Sequence, residues 1–238
     1  MKSAIQQCLP AVIAVLLSVF GLPADAALMS IEIQGTVTSV DGDTSLLPFP
    51  ASLGQSMSMR YTSSVESPAD SSGGDPTTGY YLGALSSMVL TVGDRTYDIT
   101  NPFEASSLVQ IHDNLFNQTS YRDGYMARYS NPGAQPADLD ADVQLWADTL
   151  GPGDALTSKA YLSAPPSLDL YATAVMNFYG RSESQAGVFG VVRGSITSIS
   201  ATLVPVPEPS SVWLLFSGLV ALAGASRRGR RRQGAAMV

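Results

Sequence analysis

For residues 27–204 the sequence predicts an all-β body, an antiparallel β-sandwich of jelly-roll-like form, with a signal peptide before it and a single transmembrane helix after it. Apolar and polar residues alternate with period two throughout this stretch, and no segment carries a long, capped helical stripe. Clusters of Gly, Pro, Asn and Asp cut the alternation into about ten or eleven short strands, the pattern of two packed antiparallel sheets. A lone open sheet would leave one apolar face in water.

The first element, residues 1–26, opens with Met1 and Lys2, continues in an apolar stretch centred on residues 11–20 and ends in Ala24, Asp25 and Ala26. One cation, a short apolar core and an A-x-A site make a secretory signal peptide cleaved after Ala26. The stretch is too short to span hydrocarbon comfortably. Cys8, the single cysteine, lies ahead of the apolar core and leaves with the signal, so the mature chain has no thiol chemistry and no disulfide.

In the body, Ile31, Ile33 and Val37 alternate with Glu32, Gln34, Thr36 and Thr38, and Met57, Met59 and Tyr61 alternate with Ser56, Ser58, Arg60 and Thr62. Further strands are expected at 87–92, 96–99, 108–112, 124–129, 142–146, 168–172, 175–179, 188–192 and 195–203. A short helix at 165–176 is the competing reading, because Leu168, Ala172 and Val175 also fit helical spacing. Residues 35–40 and 194–199 share the pattern G-[ST]-[VI]-T-S-[VI], which suggests neighbouring edge strands that close the domain. The longest breaks, 63–79 and 131–140, are rich in Ser, Gly, Pro, Ala and Asp, and the first is expected to be mobile.

Residues 27–206 carry 18 acidic and 7 basic side chains, a net of −11, against −7 for the whole chain. Such an acidic body repels phosphate backbones, which excludes nucleic acid as a partner. The remaining basic charge is concentrated in the tail. There Val204, Pro205, Val206, Pro207, Glu208 and Pro209 form an extended, solvated tether, since alternate prolines forbid both a helix interior and a central strand. Residues 210–226 are uncharged and rich in Leu and Val, and they stop at Arg227, Arg228, Arg230, Arg231 and Arg232. Counted from Pro209 the uncharged stretch makes a helix of roughly 27 Å, close to a hydrocarbon core of about 30 Å. The arginines orient it with the C-terminus inside. Residues 233–238 are a short tail.

The run V-P-E-P-S-S at 206–211, followed by Leu214, Leu215, Gly218, Leu219, Leu222, Ala223, Arg227 and Arg228, resembles the PEP-CTERM sorting signal of Gram-negative bacteria. Residues 205–232 are then the sorting signal. The resemblance implies recognition by an exosortase, a membrane-embedded cysteine transpeptidase, with Pro207, Glu208 and Pro209 as a processing site and not a catalytic one. It also implies transient anchoring in the inner membrane, a final place at the cell surface or outside the cell, and an association with extracellular polysaccharide or biofilm.

No catalytic residue is assigned in the body. His112 and Asp113 invite a hydrolytic triad, but no G-x-S-x-G elbow accompanies them. Asp138, Asp140 and Asp142 repeat at spacing two, which sets three carboxylates on one strand face, where calcium would relieve their repulsion. An EF-hand is excluded by Val143 at the sixth position. No other cofactor is indicated. Tyr80, Tyr81, Tyr121, Tyr125, Tyr129 and Trp146 are candidates for stacking on sugars. The leading expectation is an exported, non-enzymatic surface or extracellular-matrix protein sorted by an exosortase. The alternatives are a carbohydrate-binding β-sandwich module and a secreted glycan-active hydrolase, which needs two carboxylates in one cleft.

Overall fold

The computed structural model describes residues 27–100, 106–117, 120–132, 134, 137–149 and 155–204, and Ala26–Val204 forms one compact unit. The expected signal peptide, tether, transmembrane helix and arginine cluster lie outside the described residues. The described residues form ten strands: β1 (Leu28–Gly42), β2 (Ser56–Ser64), β3 (Thr78–Leu82), β4 (Leu85–Val92), β5 (Arg95–Asp98), β6 (Ser107–Asn117), β7 (Ser120–Asn131), β8 (Asp138–Thr149), β9 (Thr173–Arg181) and β10 (Phe189–Val204). Besides short 3-10 turns such as Thr44–Leu46 and Leu168–Leu170, they contain no helix, and so none long and apolar enough to cross a membrane.

The all-β, antiparallel prediction holds, with one sheet where two were expected. All ten strands belong to one antiparallel sheet in the order β3-β6-β7-β8-β9-β10-β1-β2-β4-β5. The two ends of that order are drawn together because β3 and β4 are joined by Gly83 and Ala84 alone, Gly83 taking a positive φ of 69°. Gly83 N–H donates to Ser107 O at 3.0 Å, and Ser107 Oγ donates to Leu85 O at 2.9 Å, which ties the β4 start to β6. The sheet is therefore rolled so that its two halves face each other across one core. Its long central strands make this possible: β1 has 15 residues and β10 has 16, and bulges after Gln34 and Val37 bend the ladder without breaking it.

Alternation fills the interior. Ile31 and Ile33 of β1, Met57, Met59 and Tyr61 of β2, Val109 and Ile111 of β6, Tyr125 and Ala127 of β7, and Met176 and Phe178 of β9 all point inward and are buried. The halves also meet through polar atoms: the Tyr61 and Tyr125 hydroxyls lie 3.1 Å apart with both side chains fully buried. Burial raises both phenols above the usual tyrosine range, so each remains a neutral hydroxyl.

The repeated G-[ST]-[VI]-T-S-[VI] segments do pair with each other, since Gly35 sits opposite Ile196 and Val37 opposite Gly194. They are central, however, and not edge strands. The bulges explain the glycines: a side chain at Gly35 would collide with Ser195 O, and one at Gly194 would press on Met57 Sδ.

Three local expectations also change. The strand expected at 168–172 is the 3-10 turn Leu168–Leu170, and the competing helix is not formed. Residues 188–192 and 195–203 are one strand. The break at 63–79 contains part of β3, and its loop is pinned: Asp70 Oδ1 accepts from Ser72 and Tyr80 N–H, and Asp75 Oδ1 from Thr77 N–H. Lys159 closes it, its ammonium donating to Asp75 O, to Ser72 Oγ at 3.2 Å and to Thr78 O at 3.4 Å, with Asp70 Oδ2 at 3.0 Å.

Candidate functional site

Because the odd-numbered residues of β8 face the core, Asp138, Asp140, Asp142, Gln144, Trp146 and Asp148 occupy its outer face. The register sets Ser130, Arg128, Met126, Gly124 and Arg122 of β7 on one side of them. On the other side stand Arg181, Tyr179, Asn177 and Val175 of β9. One strand further out, β6 brings His112 opposite Gly124, and β10 brings Phe189 opposite Arg181 and Arg193 opposite Asn177. The outer face of β1, β2, β4 and β5 presents mainly Ser and Thr instead, with Glu32, Gln34 and Arg60 among them.

The β6–β10 side chains are bonded to one another. Trp146 Nε1 donates to Gln144 Oε1 at 3.2 Å, and Gln144 Nε2 donates to Asp142 Oδ1 at 2.9 Å. Asn177 Nδ2 reaches the same oxygen at 2.7 Å. Asp140 Oδ2 accepts from Arg128 Nη2 at 3.0 Å and lies 2.7 Å from Arg181 Nε, while Ser130 Oγ donates to Oδ1. At the other end Arg122 Nε and Nη2 clasp Asp148 at 2.7 and 3.3 Å.

Trp146 lies flat on β7 because Gly124 leaves room; any side chain there would enter the indole ring. Its ring stacks on His112 at 5.1 Å between centroids and 28° between planes, and Arg122 Cζ sits 4.9 Å from the ring centroid. Burial lowers the His112 pKa. A neutral imidazole accepting at Nε2 from Gln110 (2.7 Å) and donating from Nδ1 to Thr78 Oγ1 (3.1 Å) satisfies both nitrogens. At the opposite end Tyr179, Arg181, Ser182, Val188 and Phe189 line a depression of about 410 Å³, with Arg181 Cζ 5.7 Å from the Tyr179 ring centroid.

Electrostatically this face is distinct from the body around it. Four of the seven cationic side chains between residues 27 and 206, Arg122, Arg128, Arg181 and Arg193, stand here beside four aspartates, Asp138, Asp140, Asp142 and Asp148. Burial pushes the Asp142 carboxyl above its ordinary range, opposed by the bonds from Asn177 and Gln144. Burial, and then the Asp142 charge, push the Tyr179 phenol up as well.

Asp138, Asp140 and Asp142 thus share one face, as their spacing predicts. Among the described residues no group of three or more His, Cys, Asp or Glu is placed to hold a metal ion. Two guanidiniums hold Asp140 and two amides hold Asp142, so the protein's own donors relieve the repulsion. Of the aromatic candidates, Tyr81, Tyr125 and Tyr129 are buried in the core, whereas Tyr80, Tyr121 and Trp146 are half-buried. His112 is engaged by Thr78 and Gln110, and Asp113 accepts instead from Asn114 Nδ2 at 2.7 Å. Tyr179, Arg181 and Phe189 were not singled out from sequence; the signal for the first two was the polar alternation of 173–181 opposite that of 138–148.

Pro207, Glu208 and Pro209 and the five arginines, Arg227, Arg228, Arg230, Arg231 and Arg232, lie outside the described residues. The family model described as the PEP-CTERM protein-sorting motif matches residues 205–232. The chain carries a PEP-CTERM sorting motif. That motif marks an exported protein that an exosortase recognises and that is sorted at the membrane toward the cell surface. No curated protein and no solved structure matches the chain.

Proposed function

We propose that the body is a non-enzymatic surface or extracellular-matrix component, carried out by the signal peptide at 1–26 and delivered through the PEP-CTERM tail. The matched motif at 205–232 carries this reading. Residues 210–226 hold the tail in the inner membrane, Arg227 to Arg232 keep its end on the cytoplasmic side, and Pro207, Glu208 and Pro209 present an extended backbone for processing. Anchoring confines that backbone to the bilayer surface and raises its effective concentration at a membrane-embedded enzyme. The non-enzymatic reading draws on the His112 environment, where both ring nitrogens are engaged by Thr78 and Gln110.

Replacing Pro207, Glu208 and Pro209 by alanine in the native host is expected to leave an unprocessed, membrane-bound precursor. Release at the normal mass and rate would overturn the sorting assignment. A second reading, carbohydrate binding, is favoured by one observation: Trp146, Tyr179 and Phe189 stand on a single sheet face. Association with extracellular polysaccharide is the biological role that both readings share.

A further inference from the structure

We infer that the outer face of β6–β10 binds an uncharged oligosaccharide laid along β8 and β9, from Trp146 to the depression formed by Tyr179, Arg181 and Phe189. This deepens the carbohydrate-binding reading by placing the site and stating the charge class of its ligand.

Length is the first argument. Trp146 and Asp140 are six residues apart on β8, and Tyr179 is the register partner of Asp140, so the two aromatic stations lie about 20 Å apart along the strands. That separation suits a chain of several sugars and not a monosaccharide. Between the stations the floor is a line of planar amide, carboxylate and guanidinium groups, Gln144 and Asn177 bonded to Asp142 and Arg128 bonded to Asp140, and these bonds fix their orientation before any ligand arrives. Such groups carry further donors and acceptors, as paired hydroxyls on a sugar require.

Charge is the second. The body carries a net −11, yet this face balances four arginines against four aspartates, and Asp140 is shared by two of those arginines. A polyanion gains little from Arg122, Arg128 and Arg181, which are already paired within the sheet, and is repelled by the body as a whole. A polycation would compete with the resident arginines for the same carboxylates. An uncharged polyhydroxylated chain meets neither penalty.

Aromatic exposure is the third. Phe189 is 46% exposed at the rim of the depression, which it lines together with Arg181 and Tyr179, so a flat apolar surface, an aromatic ring and a guanidinium meet at one place. The apolar face of a pyranose ring can cover it while the sugar hydroxyls reach Arg181 and Ser182.

The test uses the full chain, purified in a detergent without a sugar headgroup. Titration with uncharged β-linked and α-linked hexaoses of glucose, mannose and xylose, with hexagalacturonate as the anionic comparison, is followed by calorimetry and tryptophan fluorescence. At least one neutral hexaose is expected to bind, with the corresponding disaccharide at least tenfold weaker. Phe189→Ala is expected to weaken binding at least fivefold and Tyr179→Ala about tenfold, while Gln34→Ala on the other half of the sheet leaves it unchanged. Near-UV circular dichroism certifies that each variant is folded, and exposed Phe189 supplies the variant least able to disturb the core. Absence of binding to every neutral hexaose, binding to hexagalacturonate alone, or neutral-sugar affinity unchanged in Phe189→Ala and Tyr179→Ala would each overturn the inference. Sorting is read independently from the tail variant in cells, so failure of either assay leaves the other standing.

Discussion

The buried contact between Tyr61 and Tyr125 offers a thermodynamic probe of the rolled sheet, because these hydroxyls come from the two facing halves and touch only if the halves pack as described. Tyr61→Phe removes one hydroxyl and leaves the other fully buried without that partner, so each single variant should lose about 1–3 kcal/mol. The double variant Tyr61→Phe, Tyr125→Phe removes both hydroxyls together and places apolar edge against apolar edge. It should sit within about 1 kcal/mol of the parent, giving a coupling of about 1–6 kcal/mol. Urea unfolding of residues 27–204, read by circular dichroism with the slope held common, measures all four corners of the cycle. Both phenols are raised by burial, so the coupling should not change between about pH 5 and 9. A double variant that loses the sum of the two singles would refute the facing arrangement.

The polar face and the pinned loop yield further expectations. Asp140→Ala strands two guanidiniums, but these are 34% and 49% exposed, so the loss in urea unfolding should be about 1–2 kcal/mol and not the 3–5 of a fully buried pair. Asp142 binds its proton more tightly folded than unfolded, so its contribution favours the folded state in acid and is lost as pH rises from about 4 through the raised value. Asp142→Asn should therefore gain on the parent as pH rises from about 3 to 7, and urea midpoints across that range would show it. Lys159→Met frees the loop around Asp70 and Asp75, which should speed limited proteolysis at 66–77 several-fold with a Tm loss of about 2–4 °C. Excess calcium should leave the Tm of the body unchanged, as Asp140 and Asp142 are already engaged by the protein's own donors.

Strand character was legible wherever one face meets the core, because burial enforces strict alternation, as in Ile31 and Ile33 or Met57, Met59 and Tyr61. It faded where neither face dominates. In β3, Tyr81 faces inward while Tyr80 is half-buried, and the preceding Ser, Gly and Asp run reads as loop. Sheet number was not legible either, since a bulge is a register shift of one residue and looks in sequence like a break between two strands. Thus 188–192 and 195–203 read as separate strands although β10 runs unbroken through Gly194, with register shifts on either side of it against β1. The spacing of Asp138, Asp140 and Asp142 showed that they share a face. Their partners Arg128, Arg181 and Asn177 come from strands 12 to 41 residues away, and only the register reveals them. The tail was readable outright, because its prolines, uncharged run and arginines act in sequence order and need no tertiary contact.

If the sorting motif delivers the protein, the intact mass of the material that the native host releases must report both processing events. The released species should start at Ala27 and end close to Pro207, Glu208 and Pro209, without the apolar run and the five arginines. A released protein whose mass still includes everything through Val238 would contradict it.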